Sequence, residues 1–360
     1  MRKGEAHTAP IVKHVYGAYW DWANNNGLTK GVRTDDAVGF ADPNPAVNNG
    51  TGSSPFDNIW PWSGMVKEED PVAGTLVKIP KFWFKWETQG KSIGLKISDA
   101  PKEGFYTSPA HADRGDGKGE RDYVYVGRYH CGYGYKSATG NTPITGMSCA
   151  TFRSQIHSLG DDIYQYDFAM YWTIMMLYLC EYSEWNSREA LGYGCSPNGN
   201  VFSVGLTDAM KYHTGTSAAT RTTYGCVQYR NIEGLMDNVM DCCDGIRFSG
   251  ANVYCIKNPA QFSDTANGTL VGTRSTGFGW ISGWTNPTES GFEYALVPNE
   301  LNGSETTYVS TSYYGHVDGG VVLLVGSRCY KEQQFGHFGM QIVTATNTGD
   351  YMGCRLQKLP

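Results

Sequence analysis

The sequence predicts an α+β fold of two parts, a β-rich N-terminal domain followed by a mixed α/β C-terminal domain. Aromatic residues make up 13% of the 360 residues and 45 are Gly, which favours many short strands and turns. Asp167 to Trp185 is the one long helical segment, and it is apolar nearly all round, so it should be buried on most faces. The Gly-rich, charged stretch from Arg114 to Glu120 marks the boundary between predicted domains 1–121 and 122–360.

The sequence of the N-terminal part predicts irregular β structure. Val77 to Trp86 alternates apolar and basic residues, which predicts one strand with a wet face. Pro80 cannot donate a ladder hydrogen bond, so it places this strand at a sheet edge or at a bulge. Gly94 to Ser98 is a second short strand, and Asp42 to Ser54 is a loop dense in Asn, Gly, Pro and Asp.

The C-terminal part begins with a period-two pattern from Asp122 to Tyr129, which should open a new sheet. Ser148 to Leu159 fits a short helix with Ser148 as its N-cap. After Gly192 the chain returns to short strands separated by Gly, Asn and Thr turns. These elements are the reason for predicting a mixed α/β domain here.

Charge and apolar patterning exclude two classes of partner. The net charge is −6, and no basic stretch could follow a phosphate backbone, so we expect no nucleic-acid binding. The longest apolar run, Phe168 to Cys180, is interrupted by Tyr and Thr, so we expect no membrane insertion. Met1 to His7 lacks the apolar core of a secretory signal. We therefore expect synthesis in a cytoplasm, with the ten Cys reduced and packed as small core residues.

The familiar enzyme motifs are missing. The sequence contains no H-E-x-x-H, no Walker-type Gly-rich loop and no G-x-S-x-G elbow. No set of His, Cys and carboxylates has ligand spacing, so we predict no enzyme, no cofactor and no catalytic metal. A structural Ca²⁺ held by oxygen ligands of the Asp- and Asn-rich loop from Asp237 to Asp244 stays open.

The most informative stretch is Tyr229 to Ile246, which reads YRNIEGLMDNVMDCCDGI. It resembles a motif of phage-encoded proteins with the C-type lectin fold of the formylglycine-generating-enzyme (sulfatase-modifying factor) type. Asn238-Val239 and the closing Asp244-Gly245-Ile246 match that motif. Met240 and Cys243 depart from it, because the family has Trp at both positions.

The charged residues of this stretch, Arg230, Glu233 and Asp241, are expected to be semi-buried and therefore to need partners. A structural salt-bridge or hydrogen-bond network is the preferred interpretation, and a catalytic role is the alternative.

Two further stretches carry the same resemblance. Leu179 to Ser187 looks like the end of the family's helix. Leu323 to Ser327, Gly336 to Phe338 and Gly353 to Leu356 look like its closing strands. The resemblance covers most of the chain and implies a C-type lectin-like C-terminal domain of the formylglycine-generating-enzyme subtype.

Some members of this group are variable proteins of diversity-generating retroelements, in which codons of the last strands and loops are randomised. The resemblance thus implies a phage-encoded display protein, associated with a virion, that binds an unknown protein or glycan on a bacterial surface. Its variable region would be about residues 321–356. The predicted ligand-binding residues are Arg328, Tyr330, Lys331, Glu332, Gln334, His337, Gln341, Thr344, Asn347, Asp350 and Tyr351.

In this interpretation Tyr330, His337 and Gln341 face water, whereas Phe338 and Gly353 hold the core and the turns. The alternative for the same residues is an ordinary solvated hairpin surface.

Two other functions stay open. Formylglycine-generating oxidases use a pair of Cys near the C-terminus, but Cys329 is the only Cys between Cys255 and Cys354, so the nearby partner is missing. The other alternative is a structural phage tail component without ligand specificity.

Overall fold

A computed structural model describes residues 13–194, 200–315, 319–327 and 336–360. Strands make up 32% and helices 11%, and most strand pairs are antiparallel. The predicted α+β fold class is therefore wrong, and the fold is β-rich. The prediction gave one strongly apolar helix too much weight against the many short strands around it.

Three α-helices lie in the described ranges. They are α1 (Cys149–His157), α2 (Phe168–Tyr182) and α3 (Ser187–Leu191). The strands before α1 are β1 (Val15–Trp20), β2 (Val32–Asp35), β3 (Ala46–Val47), β4 (Lys67–Asp70), β5 (Gly74–Pro80), β6 (Trp83–Gln89), β7 (Ser92–Ser98), β8 (Tyr106–Thr107) and β9 (Tyr123–Gly127).

The later strands are mostly short, as the Gly-rich sequence predicts. They are β10 (Ile163–Gln165), β11 (Gly215–Thr216), β12 (Val227–Tyr229), β13 (Ile232–Glu233), β14 (Met240–Cys243), β15 (Ile246–Ser249), β16 (Asn252–Cys255), β17 (Thr269–Thr273), β18 (Phe278–Trp280), β19 (Gly283–Trp284), β20 (Pro298–Glu300), β21 (Ser312–Tyr314), β22 (Val322–Val325), β23 (Met340–Val343), β24 (Met352–Gly353) and β25 (Leu356–Lys358).

Two five-stranded antiparallel sheets contain all the strands before α1 except β3. One has the order β2-β1-β7-β6-β8 and the other β10-β25-β9-β5-β4. The second sheet combines β4 and β5 with strands that follow the Arg114–Glu120 stretch, so the two predicted domains share a sheet. The segment from Val77 to Trp86 is two strands in different sheets, because the chain leaves β5 at Pro80 and re-enters as β6 at Trp83.

Helix α2 confirms the predicted buried helix, since all 15 of its residues are buried. The side chain of Asp167 caps its first turn by accepting a hydrogen bond from the Met170 N–H. Ser148 likewise caps α1, by accepting from the Thr151 N–H. Helix α2 forms the main core together with residues such as Trp20, Leu323 and Met340.

A six-stranded sheet of order β18-β21-β23-β22-β14-β24 separates two cores. One face contributes to the main core. The other face contributes to a second core under α1, formed by Ala73, Leu76, Cys131, Cys149, Phe152, Ile156, Ile163, Met240, Cys242, Val322, Leu324, Val343, Met352, Cys354 and Leu356.

A disulfide joins Cys149 of α1 to Cys242 of β14 inside the second core. The expectation that every Cys is reduced is therefore wrong for this pair. Their Cα atoms are 5.6 Å apart, within the usual range for a disulfide.

Candidate binding surface

The outer face of the six-stranded sheet is covered over only half its width. Pairing aligns Phe278 with Tyr314, Tyr314 with Gln341, Gln341 with Leu324, and Leu324 with Cys242. Directly paired residues point to the same face, so these five form one row across the sheet. Leu324 and Cys242 are fully buried in the second core, whereas Phe278 is 56% and Tyr314 37% exposed. Along this row the cover thus ends between β22 and β23, although Val343 at the end of β23 is still buried in the second core.

The uncovered part of the row is aromatic. The rings of Phe278 and Tyr314 lie 5.7 Å apart in a T-shaped arrangement. Their neighbours on the opposite face show why they are held in place: Tyr313 and Met340 are buried in the main core. Burial of Tyr313 and Met340 therefore holds the backbone of β21 and β23 against the main core, while the aromatic side chains on the other face point outward.

A cluster of hydrogen-bonded polar side chains lies next to the aromatic pair, joined to it through Gln341, which is paired with Tyr314. Gln341 Nε2 donates to the Tyr351 hydroxyl at 3.4 Å, and Asn347 Nδ2 donates to the same hydroxyl at 3.3 Å. The Asn347 Oδ1 accepts from the Gly349 N–H at 3.1 Å, which orders the turn before Tyr351. We call Phe278, Tyr314, Gln341, Asn347 and Tyr351 together the open half-face.

The sequence-predicted binding residues distribute as follows. The structure brings Gln341, Asn347 and Tyr351 together in the open half-face. Thr344 is half-buried at the end of β23, and Asp350 is exposed beside Tyr351. Five of the predicted residues lie outside the described ranges: Arg328, Tyr330, Lys331, Glu332 and Gln334.

His337 is a correction, because it is fully buried rather than facing water. Its backbone N–H donates to Ser187 Oγ at 2.9 Å, its carbonyl accepts from the Tyr171 hydroxyl, and its ring packs edge-on against Tyr178. A turn closed by the Gly339 N–H and the Gly336 carbonyl directs His337 and Phe338 into the core together. The sequence prediction placed His337 in water and Phe338 in the core, whereas in this turn both neighbouring side chains point inward.

The buried ring of His337 predicts a pH dependence of stability. Neither ring nitrogen has a hydrogen-bond partner among the described residues, and burial lowers the pKa of His337 to about 3. Between pH 6.5 and 3, His337 is protonated in the unfolded chain but stays neutral in the folded chain. The free energy of unfolding therefore decreases as the pH falls through this range. His337→Phe should remove this pH-dependent decrease in the free energy of unfolding, which amounts to up to about 1.4 kcal/mol per pH unit.

The measurement is urea unfolding of His337→Phe and the unaltered protein from pH 8 to pH 4. The difference between them should be constant from pH 8 to pH 7 and should then grow in favour of the variant. A difference that stays constant down to pH 4 would refute a neutral, buried His337.

The charges of the Tyr229–Ile246 stretch are buried and partnered, as predicted. Arg230 binds Glu181, and Glu233 accepts from the backbone N–H groups of Gly205 and Thr207. Asp241 contacts His130 and Arg355, each at about 3 Å. Burial alone would raise the pKa of Asp241, but the charges of His130 and Arg355 outweigh it and hold the pKa below its usual value. These are the contacts of a structural network.

The segment from Asp237 to Asp244, which was predicted as a loop and contains strand β14, does not present free carboxylates to a cation. Asp244 is fully buried and pairs with Arg153 and Arg247. Burial raises the pKa of Asp237 to about 7, which favours its uncharged form. Among the described residues, no three or more His, Cys, Asp or Glu side chains are arranged to hold a metal ion.

Phe278 and Tyr314 were missed by sequence reasoning. They lie far apart in the chain, and only the pairing of β18, β21 and β23 brings them beside Gln341. Their aromatic character was the one available signal, in a sequence with 24 Tyr and 14 Phe.

Comparison with known proteins gives no family for this chain. No family model matches it, and no curated protein matches its sequence. Within the described ranges, no helix has the length and apolar content needed to cross a membrane.

Proposed function

We propose that this chain is a ligand-binding display protein that recognises a protein or glycan on a bacterial surface through the open half-face. The observation that supports this best is the exposed Phe278–Tyr314 pair beside the polar group around Tyr351, on a sheet face whose other half is buried. A sheet with one half-face left open presents a flat, rigid surface for contact.

The chemistry of the open half-face suits recognition. Aromatic side chains dominate binding energy at interfaces, because they bury large areas at low entropic cost. An amide carries two donors and one acceptor, so the single bond from Gln341 to Tyr351 leaves capacity for a ligand. Aromatic surface and amides together fit a partner with mixed apolar and polar character, such as a sugar ring or a peptide.

We further propose that the protein is phage-encoded and diversified by a retroelement. Support comes from the motif series between Tyr229 and Leu356 and from the location of the described candidates other than the buried His337. These candidates lie on β23 and in the segment that follows it. A reverse transcriptase gene and a near-copy of the region encoding about residues 321–356 beside this gene are expected. A neighbourhood without either would refute diversification and leave the binding proposal standing.

The binding proposal is tested by changing the aromatic pair. Phe278→Ala with Tyr314→Ala should weaken binding to bacterial cells or to an array of bacterial surface glycans at least tenfold, about 1.4 kcal/mol, because both rings would be lost from the interface. The melting temperature should change by only a few degrees, since both side chains are exposed.

The matched control is Tyr106→Ala, which removes a 45% exposed Tyr on β8, a strand of a different sheet. It should bind as well as the unaltered protein. Equal binding by the double variant and the unaltered protein would place the site elsewhere.

A further inference from the structure

Four of the cysteines are gathered in the second core. Cys131, Cys149, Cys242 and Cys354 are all buried there, although they come from separate parts of the chain. Cys149 and Cys242 form the disulfide, and Cys131 and Cys354 are present as thiols. Such clustering is more than a set of unrelated small core residues needs.

Strand pairing brings Cys354 beside the existing disulfide. In the parallel pair β14–β24, Met240 lies beside Met352 and Asp241 beside Gly353. The next residues are Cys242, still on β14, and Cys354, directly after the end of β24, and both side chains belong to the second core.

Cys131 lies directly against Cys354. The Cys131 N–H donates to the Cys354 carbonyl oxygen at 2.7 Å, which fixes the two backbones side by side. Burial, together with the neighbouring Cys131 thiol, raises the pKa of Cys354. Hydrogen-bonded neighbouring backbones and two side chains buried in the same core are the arrangement in which a disulfide can form.

We propose that Cys131 and Cys354 are a second disulfide site, oxidised when the protein folds in an environment that contains a disulfide oxidant. In the reaction each thiol loses its proton, and the pair gives two electrons to the oxidant as one S–S bond forms. The oxidant is a small-molecule or protein disulfide, which is reduced to two thiols through a mixed-disulfide intermediate. Because both sulfurs are buried, the exchange takes place during folding or in an opened state.

The second crosslink would fix the chain just after the open half-face. Tyr351 precedes Cys354 by three positions, and its carbonyl accepts from the Met240 N–H. A Cys131–Cys354 bond would tie this segment to the chain that follows β9. A surface protein that works outside a reducing cytoplasm gains such crosslinks at no expense to its exposed face. The site itself does not depend on the proposed binding function.

The test is disulfide mapping of the full chain refolded with reduced and oxidised glutathione. Proteolysis without reductant, followed by mass spectrometry, should yield a Cys149–Cys242 peptide and a Cys131–Cys354 peptide. The crosslinked form of Cys354 should exceed its alkylated form at least tenfold. Recovery of Cys131 and Cys354 as alkylated thiols beside an oxidised Cys149–Cys242 pair would overturn the proposal, and so would a Cys354–Cys242 crosslink.

Cys354→Ser supplies a second, separate test. This variant should leave Cys131 alkylated and Cys149–Cys242 crosslinked. The matched control is Cys180→Ser, which alters a buried thiol of the main core and should leave both crosslinks in place. If either variant fails to fold, the map of the unaltered chain still decides.

Discussion

Replacing Glu181 by Gln should lower the free energy of unfolding by about 3–5 kcal/mol, because it removes the main charge partner of a buried Arg. Glu181 is fully buried. The guanidinium of Arg230 donates two hydrogen bonds to its carboxylate, from Nη2 to Oε1 at 2.6 Å and from Nε to Oε2 at 2.8 Å. Ser54 and Tyr229 donate to the same carboxylate, so its four acceptor positions are used. The amide of Gln can accept at only one oxygen.

The pair is worth measuring as a cycle. Arg230→Met should also be strongly destabilising, because it leaves the Glu181 carboxylate buried without a counter-charge. The double variant should lose less than the sum of the two single changes, with a coupling of about 1–3 kcal/mol. Urea unfolding of all four proteins at pH 7 gives the numbers.

Glu189→Gln serves as the matched control, because Glu189 lies exposed on α3 a short distance along the chain. It should change stability by less than about 0.5 kcal/mol. If Glu181→Gln lowered the free energy of unfolding as little as Glu189→Gln, the charge of Arg230 would be balanced mainly by Asp57, which it also contacts at 3.2 Å.

Local sequence patterns predicted local structure well in this chain. The apolar run predicted the buried helix α2, because a helix without a polar face must be buried on all sides, as all fifteen of its residues are. Ser148 gave the start of α1 because a cap needs only the residues that follow it. The buried charges at Arg230 and Asp241 followed from the principle that charges in apolar surroundings must pair.

Long-range pairing is what the patterns did not contain. The fold class depended on how many short strands join into sheets, and β5 and β9 pair across the Arg114–Glu120 stretch that looked like a boundary. The Cys149–Cys242 bond could not be chosen among ten Cys, because connectivity is not a local property. The open half-face is likewise a product of register, since β18, β21 and β23 supply one row from three distant segments.

The second large effect is expected for Phe338→Ala, which should lower the free energy of unfolding by about 3–5 kcal/mol. Phe338 is fully buried among aromatic rings, with Trp185 at 4.7 Å and Tyr178 at 6.0 Å between centroids. Removing its ring leaves a cavity between α2 and the sheet that these rigid neighbours cannot close.

Phe278→Ala is the matched partner of that change, because it removes the same ring from the exposed face of the sheet rather than from the main core. It should cost less than about 1 kcal/mol, the value of one exposed contact with Tyr314. Urea unfolding gives the stabilities, and binding to bacterial cells is measured well below both transitions. We expect Phe338→Ala to lose stability and keep affinity, and Phe278→Ala to keep stability and lose affinity. If Phe278→Ala is as destabilising as Phe338→Ala, the open half-face is part of the structural core; if folded Phe338→Ala loses affinity while Phe278→Ala keeps it, the ligand contacts another surface.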